Sequence, residues 1–207
     1  MNKKQQLDKL KQKMLKDDGL PLKDGATNLV FGDGNPSAEI LFIGEGPGRW
    51  EDEKGLPFVG NSGALLNQLL ASIKLPREEV FITNVVHYRP PNNRDPLPEE
   101  LVAFKPYLDE IIRIIDPKVI VTLGRFSMAK FFPDVTIGIV HGKPCKTEWK
   151  TKKIVVVPMY HPAAGLRNGE FKRRLFEDFK RIPEVLEKFE SDQNEVEKEK
   201  VEQMELI

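Results

Sequence analysis

Four short apolar segments alternate along the chain with segments of helical periodicity, and this alternation limits the fold more than any other feature. Each apolar segment is long enough for one strand and runs into a loop rich in glycine or proline. Strands that are buried on both faces and joined through helices indicate a parallel sheet between helix layers, which is an α/β fold. The segments are residues 39–44, 80–86, 118–123 and 154–157.

Apolar residues at helical spacing predict five helices around these strands. In the first, Leu7, Leu10 and Met14 line one face of a lysine-rich segment that ends before Gly19. The last is expected to be interrupted near Pro183, because proline breaks the hydrogen-bond pattern of a helix interior. The other predicted helices cover residues 62–73, 98–115 and 126–131, and the last covers residues 171–189.

The chain divides into a central domain and two charged arms. Residues 1–16 carry six lysines and one aspartate, whereas residues 184–207 carry nine acidic residues and three lysines. We therefore expect a basic N-terminal helix at residues 1–20, one domain at residues 21–183 and an acidic tail at residues 184–207, frayed or disordered from Ser191 on. The formal net charge of zero decides nothing about nucleic acid, because phosphates are bound by local patches.

Composition excludes several classes of protein. No apolar run reaches the roughly 18 residues that a membrane span needs. The first residues contain no apolar core of a secretory signal, so we expect a soluble cytoplasmic protein. The single cysteine, Cys145, excludes an internal disulfide and any site built from four thiolates.

A ligand site in a parallel sheet lies outside the carboxyl ends of the strands. This rule selects four loop segments, namely residues 44–48, 84–96, 124–125 and 160–168. The glycines of the first segment permit close approach of a ligand to the backbone, although a tight turn alone would also explain them. We expect the functional side chains in and near these loops.

Three side chains near these loops have both a chemical and a structural interpretation. Phe58, in a loop bounded by glycine and proline, can stack on a planar ligand or belong to a minor core. Asn84 ends a buried strand, where its amide can face an amide or imide of a ligand or cap a turn. His161 precedes a proline and can stabilise developing charge or be structural. Together they fit a pocket for an extruded nucleobase.

Charged and metal-binding residue types narrow the chemistry further. The three histidines are not grouped with cysteine, aspartate or glutamate at metal-ligand spacing, so no metal site is expected. Arg89, Arg94 and Arg167 fall in loops at the predicted binding edge. They are suited to bind phosphate groups.

Four segments, taken in order, resemble the signature sequences of type-4 uracil-DNA glycosylases. They are GEGPGRWEDEKGLPFVGNSGALL at residues 44–66, ITNVVHYRPPNNRDP at 82–96, PKVIVTLGR at 117–125 and HPAAGLRN at 161–168. The resemblance extends from about residue 21 to about residue 182. It implies a three-layer α/β/α sandwich with a four-stranded parallel central sheet, which excises uracil from DNA.

The resemblance also implies roles for individual residues in a uracil pocket. By motif position, Phe58 would stack on uracil, Asn84 would bond its Watson–Crick edge and His161 would face its O2 atom. A donor held at O2 would stabilise the negative charge that develops on the departing base. The pocket would be closed by the backbone of Gly44, Glu45 and Gly46.

Polar groups around this pocket would position the attacking water and bind the DNA. Glu45 and Asn93 would place or activate the attacking water. Binding through DNA phosphates would be sensitive to salt and largely independent of sequence. The arginines expected to bind DNA are Arg89, Arg94, Arg125 and Arg167.

The resemblance fails at one group of positions. The family usually binds a 4Fe–4S cluster through four cysteines, and the matching positions here are Asp17, Leu20, Tyr88 and Phe104. Because Cys145 lies elsewhere, we expect no cluster and no other cofactor. Leu20, Tyr88 and Phe104 would instead pack as an apolar plug in the volume of the cluster.

Two functions of different classes are consistent with these patterns. The first is a monomeric, monofunctional glycosylase that acts on uracil-containing DNA with water as nucleophile and has no membrane partner. No lysine is placed to form a Schiff base, so strand cleavage is not expected to follow. The alternative is a catalytically weak module that binds uracil or damaged DNA and recruits partners through the charged arms. The presence of Glu45 and Asn93 favours the enzyme.

Overall fold

The centre of the protein is a six-stranded sheet in a computed structural model that describes residues 1–150 and 152–192. The order of the strands across the sheet is β1-β3-β2-β4-β6-β5. The strands are β1 (Asp33–Gly34), β2 (Ile40–Gly44), β3 (Phe81–Asn84), β4 (Val119–Leu123), β5 (Cys145–Trp149) and β6 (Lys152–Met159).

The predicted parallel sheet is present, but it is wider than the four predicted strands. The four apolar segments form β2, β3, β4 and β6, and all pairings among these strands are parallel. Strands β1 and β5 pair antiparallel at the two edges, which makes the sheet mixed. Sequence patterns missed both edges, because β1 has two exposed residues and β5 alternates half-buried with exposed ones.

The predicted helices are present, with three short ones in addition. The short helices α2, α6 and α7, of four to six residues each, were not predicted from the sequence. Residues 182–192 are also helical and contain Pro183 in their first turn, where a proline is tolerated. The helices are α1 (Lys3–Leu15), α2 (Arg49–Lys54), α3 (Asn61–Ser72), α4 (Pro98–Ile115), α5 (Arg125–Ala129), α6 (Ile137–Val140), α7 (Pro162–Arg167) and α8 (Gly169–Phe179).

Helices cover both faces of the sheet. Successive side chains of a strand point to opposite sides, so neighbouring residues of one strand pack against different helices. In β4, Val121 packs into a cluster with side chains of α3 and α8. Its neighbour Ile120 packs into a second cluster with side chains of α1 and α4. Helix α1 belongs to this second layer, since Leu7, Leu10 and Met14 are buried there. Lys3 also donates from Nζ to the carbonyl of Ile115 at the end of α4, at 2.7 Å.

The described part of the acidic C-terminal region pairs with one lysine that precedes β4 and one in β5. Glu190 binds Lys118 at 2.5 Å, and Asp192 binds Lys146 of β5 at 2.6 Å. The rest of the predicted tail, residues 193–207, lies outside the described residues. Within the described part of the chain, no helix combines the length and apolarity that crossing a membrane requires.

A histidine with a strongly lowered pKa is buried between α4 and the sheet. The ring of His87 lies 5.7 Å from that of Phe104 and 6.2 Å from that of Phe31, measured between centroids. Its Nε2 atom lies 3.3 Å from Oγ1 of Thr83, whereas Nδ1 has no partner among the described residues. Burial disfavours the charged ring and lowers the pKa of His87 to about 3.

This buried ring predicts a loss of stability in mild acid. Between about pH 6 and pH 4 the unfolded chain protonates His87 while the native state does not, so the free energy of unfolding falls as the pH falls. One such proton corresponds to about 1.4 kcal/mol per pH unit. Urea denaturation at several pH values measures the slope, and His87→Gln should make it shallower by about this amount. Equal slopes in the two proteins would contradict a neutral, buried His87.

Candidate active site

A cleft of about 530 Å³ opens at the carboxyl edge of the parallel strands. Its wall comes from the loops that follow β2, β3 and β6, together with the first turns of α2, α3 and α7. The residues predicted from sequence that line it are Glu45, Gly46, Phe58, Asn84, Asn93, Arg94, His161 and Arg167. Gly44, Arg89 and Arg125 do not line it, but each lies next to a residue that does.

The amide of Asn84 lies in the wall of the cleft without a hydrogen-bond partner. Asn84 is the last residue of β3 and is 1% exposed. Neither Nδ2 nor Oδ1 is bonded to any described residue. Both the donor and the acceptor of this amide are therefore available to a ligand. A ligand that pairs with them would remove the cost of burying an unpaired amide.

Two glycines make room for this amide and for the adjacent ring. A Cβ atom at Gly44 would lie 2.5 Å from Oδ1 of Asn84 and 2.6 Å from Cε2 of Phe58. A Cβ atom at Gly63 of α3 would lie 1.9 Å from the carbonyl oxygen of Phe58. Glycine is therefore required at both positions for the backbone and side chains to meet as they do.

Phe58 belongs both to the hydrophobic core and to the wall of the cleft, the two places that its sequence context permits. Its ring packs into the cluster under α3 and α8, and it also lines the cleft, 5.7 Å from the ring of His161. Its φ angle is +51°, a left-handed conformation that is uncommon for a bulky residue and that the surroundings must enforce.

Two charged side chains that sequence patterns missed hold the loop around Phe58. Oε1 of Glu51 accepts hydrogen bonds from the backbone N–H groups of Val59 and Gly60, at 2.9 and 2.8 Å. From the other side, Nη2 of Arg77 donates to the carbonyl of Pro57 at 2.7 Å. Glu51 follows the glycine-rich loop of residues 44–48, and this position is only a weak indication of its role. The sequence around Arg77 gives no indication that its side chain bonds to Pro57, twenty residues away.

The imidazole of His161 is held as a neutral hydrogen-bond donor. Its Nδ1 atom accepts from the backbone N–H of Ala163 at 3.1 Å, which caps α7 and leaves the proton on Nε2. Burial lowers the pKa of His161 to about 4, so the ring is neutral at physiological pH. A neutral ring with one outward N–H group can donate to a carbonyl oxygen in the cleft.

Glu45 and Asn93 lie on the cleft wall with different electrostatic surroundings. Burial raises the pKa of the Glu45 carboxyl, the nearby charge of Asp95 raises it further, and Arg125 opposes both effects. Asn93 is exposed and its φ angle is +53°, a conformation that asparagine adopts more readily than most residues. Its Oδ1 atom accepts from Nε of Arg89 at 2.7 Å, which leaves the Nδ2 group available.

The four predicted DNA-binding arginines have different partners. Arg94 lines the cleft, but its guanidinium makes two bonds to the buried carboxylate of Glu100, at 2.9 and 2.6 Å. Arg125 forms an ion pair with Asp95, and Arg89 bonds to Asn93 as described. Arg167 lines the cleft and has no ion pair within the described part of the chain. A contact of each arginine with DNA stays a prediction.

A family model and several relatives match most of this chain. The family model of the uracil DNA glycosylase superfamily matches residues 31–181. The chain is 48% identical over 185 residues to a type-4 uracil-DNA glycosylase of Sulfurisphaera tokodaii, covering 86% of this chain and 84% of the relative. It is 49% identical over 164 residues to one of Archaeoglobus fulgidus, with 77% and 82% covered, and 44% identical over 173 residues to one of Thermotoga maritima, with 81% and 88% covered.

Proposed function

This chain belongs to the uracil-DNA glycosylase superfamily, and from that premise we propose how its cleft excises uracil from DNA. The enzyme hydrolyses the N-glycosidic bond between uracil and deoxyribose. The observation that carries the assignment of the cleft is the buried, unpartnered amide of Asn84 beside the ring of Phe58. Its Oδ1 atom would accept from N3–H of uracil and its Nδ2 group would donate to O4, while Phe58 stacks on the base.

The bond is broken with the electron pair moving onto the base. Cleavage of the bond from C1′ to N1 leaves a uracil anion, with charge on O2, and an oxocarbenium-like sugar. The Nε2–H group of neutral His161 donates to O2, and its strength as a donor matters most when the charge has developed. Because its pKa is about 4, His161 acts through this hydrogen bond and carries no positive charge of its own at neutral pH.

The sugar cation is then captured by water held between Glu45 and Asn93. The water oxygen bonds to C1′, and one of its protons passes to the Glu45 carboxylate. The raised pKa of Glu45 supports this role, since a stronger base near the working pH is a better proton acceptor. The Nδ2 group of Asn93 would orient the water, while Arg89 holds the amide through its Oδ1 atom.

The enzyme is proposed to be monofunctional. Glycosylases that also cleave the strand use an amine, which forms a Schiff base with the sugar and promotes β-elimination. Among the described residues, those that line the cleft include arginines but no lysine, which supports release of uracil alone. The product is then DNA with an intact backbone and an abasic site.

The role of His161 predicts a large loss of rate. Replacing it by alanine should lower kcat about 100-fold or more, as the loss of other fixed oxyanion donors does. The assay follows a uracil-containing oligonucleotide through alkaline cleavage of the abasic product on a gel. His141→Ala is the matched control, because His141 lies outside the cleft and bonds to Asp178. Wild-type kcat in His161→Ala would contradict the mechanism, and no excision by the wild type would favour a binding module.

The positions of the cluster ligands do not fit an iron–sulfur cluster in this chain. Asp17 accepts a hydrogen bond from the hydroxyl of Tyr107 at 2.5 Å. Leu20, Tyr88 and Phe104 are buried in one hydrophobic cluster, and the rings of Tyr88 and Phe104 lie 6.2 Å apart. The one thiol, Cys145, is in edge strand β5. These contacts support a protein that works without a cluster, and no step of the mechanism uses one.

Iron analysis tests this proposal directly. Protein purified from cells grown with added iron should contain no stoichiometric iron and show no visible absorbance of a cluster. Treatment with a chelator should leave its melting temperature unchanged, because packing rather than a metal closes this part of the fold. Stoichiometric iron with sulfide in the purified protein would overturn the proposal.

A further inference from the structure

A large aromatic side chain stands exposed at the mouth of the cleft. Trp50, in the first turn of α2, lines the cleft and is 50% exposed. Tryptophan is highly buried on average, so a half-exposed ring at the mouth of a cleft is available to contact a ligand. No part of the mechanism above uses this ring.

One edge of the Trp50 ring rests on the loop that holds Phe58. A Cβ atom at Gly60 would lie 3.2 Å from Cδ1 of Trp50 and 3.3 Å from Oε1 of Glu51. The same Glu51 oxygen accepts from the backbone of Gly60, so the loop under the ring is rigidly held. The ring is therefore supported from one side, and half of the Trp50 surface remains exposed at the cleft.

Positive charge lies next to this ring. The guanidinium of Arg49 lies 5.4 Å from the centroid of the Trp50 ring, and Nε of Arg49 binds Glu53 at 2.8 Å, which holds the side chain in place. Arg49 lines the cleft, as does Arg167 of α7. An aromatic face combined with arginines along a groove is the arrangement that binds single-stranded nucleic acid, because every base has a π face and every nucleotide a phosphate.

We propose that Trp50 forms a second nucleobase subsite, which stacks on the base next to the extruded uracil in the same DNA strand. This inference rests on the proposed function, because it requires that uracil occupies the pocket of Phe58 and Asn84. A base that stacks on Trp50 has left the stack of its own helix. The subsite therefore favours uracil in single-stranded or unpaired DNA over uracil in a stable duplex.

Tryptophan fluorescence tests the contact without any need for catalysis. The chain has two tryptophans, and the other, Trp149, pairs with Lys152 at the end of the sheet opposite the cleft. In a Trp149→Phe variant, a short single-stranded oligonucleotide with one 2′-fluorodeoxyuridine, which resists hydrolysis, should quench the emission of Trp50 in a saturable way. In the Trp50→Phe variant the same titration should leave the emission of Trp149 unchanged.

Kinetics test whether the contact matters for substrate choice. Stacking of one base on an aromatic residue contributes enough for Trp50→Ala to raise KM for single-stranded substrate about tenfold. The effect on KM for a duplex substrate should be smaller, and Trp50→Phe should restore most of the affinity. Substrates with an abasic analogue on the 5′ or on the 3′ side of the uracil should identify the stacked neighbour. With one of them, wild type and Trp50→Ala should have equal KM.

The outcomes separate this inference from the proposed function. If the proposed function is wrong, no variant releases uracil from any substrate, whatever the fluorescence shows. If uracil is released but Trp50 emission does not respond to the oligonucleotide, the nucleobase subsite is overturned. It is also overturned if Trp50→Ala changes KM equally for single-stranded and duplex substrates, or if neither abasic analogue removes its effect.

Discussion

Uracil is expected to leave DNA about 10⁴-fold faster than cytosine in otherwise identical oligonucleotides, because Asn84 reads the edge on which the two bases differ. Cytosine presents an acceptor at N3 and a donor at N4, the reverse of the pattern in uracil. In the cleft, the acceptor Oδ1 of Asn84 would then face the acceptor N3 of cytosine, and the donor Nδ2 would face the donor at N4. The buried amide of Asn84 could pair with neither group. Leaving buried polar groups unpaired is what makes such discrimination large.

Replacing this side chain should weaken the discrimination between uracil and cytosine. Asn84→Ala is expected to lower kcat/KM for release of uracil about 100-fold or more. The ratio of the uracil rate to the cytosine rate should fall by a similar factor. Asn35→Ala is the matched control, because its amide caps a turn outside the cleft. Single-turnover rates on both substrates measure the ratio. Comparable release of cytosine and uracil by the wild-type protein would show that Asn84 does not read the base.

Phe104→Ala is expected to lower the free energy of unfolding by about 3–5 kcal/mol, the usual cost of truncating a buried aromatic residue. Phe104 is fully buried on α4, with its ring against those of His87 and Tyr88. Val102→Ala on the same helix is the matched control, because Val102 is 69% exposed and its truncation should change stability by less than about 0.5 kcal/mol. Urea denaturation of the three proteins measures the difference.

The same substitution should weaken catalysis. Tyr88, which contacts Phe104, directly precedes the loop of residues 89–96 that carries Asn93 and Arg94 to the cleft. A cavity beside Tyr88 lets this loop shift, so kcat should fall even at temperatures where Phe104→Ala is folded. An unaltered melting temperature would show that the region of the absent cluster ligands is solvent-filled or rearranged rather than packed.

Local patterns in the sequence were sufficient for the four central strands, for five of the helices and for the edge of the sheet at which the cleft opens. Helix α4 begins at Pro98 and ends at Ile115 as predicted, because a proline and two acidic residues mark its first turn and its apolar residues recur at helical spacing. The four central strands were recognisable because burial on both faces leaves a continuous apolar run. Their parallel order then placed the loops with Asn84 and His161 at one edge, and the loop between α2 and α3 adds Phe58 to the same cleft.

Contacts between distant parts of the chain were decided only in three dimensions. Arg94 bonds to the carboxylate of Glu100, and Arg77 donates to the carbonyl of Pro57, and neither contact could be read from the sequence. The edge strands β1 and β5 and the tautomer of His161 likewise depend on neighbours supplied by the fold. A periodic pattern reports only whether a residue is buried. Which partner a charged group binds, and which nitrogen of a ring keeps its proton, depends on the groups that folding brings within hydrogen-bond distance.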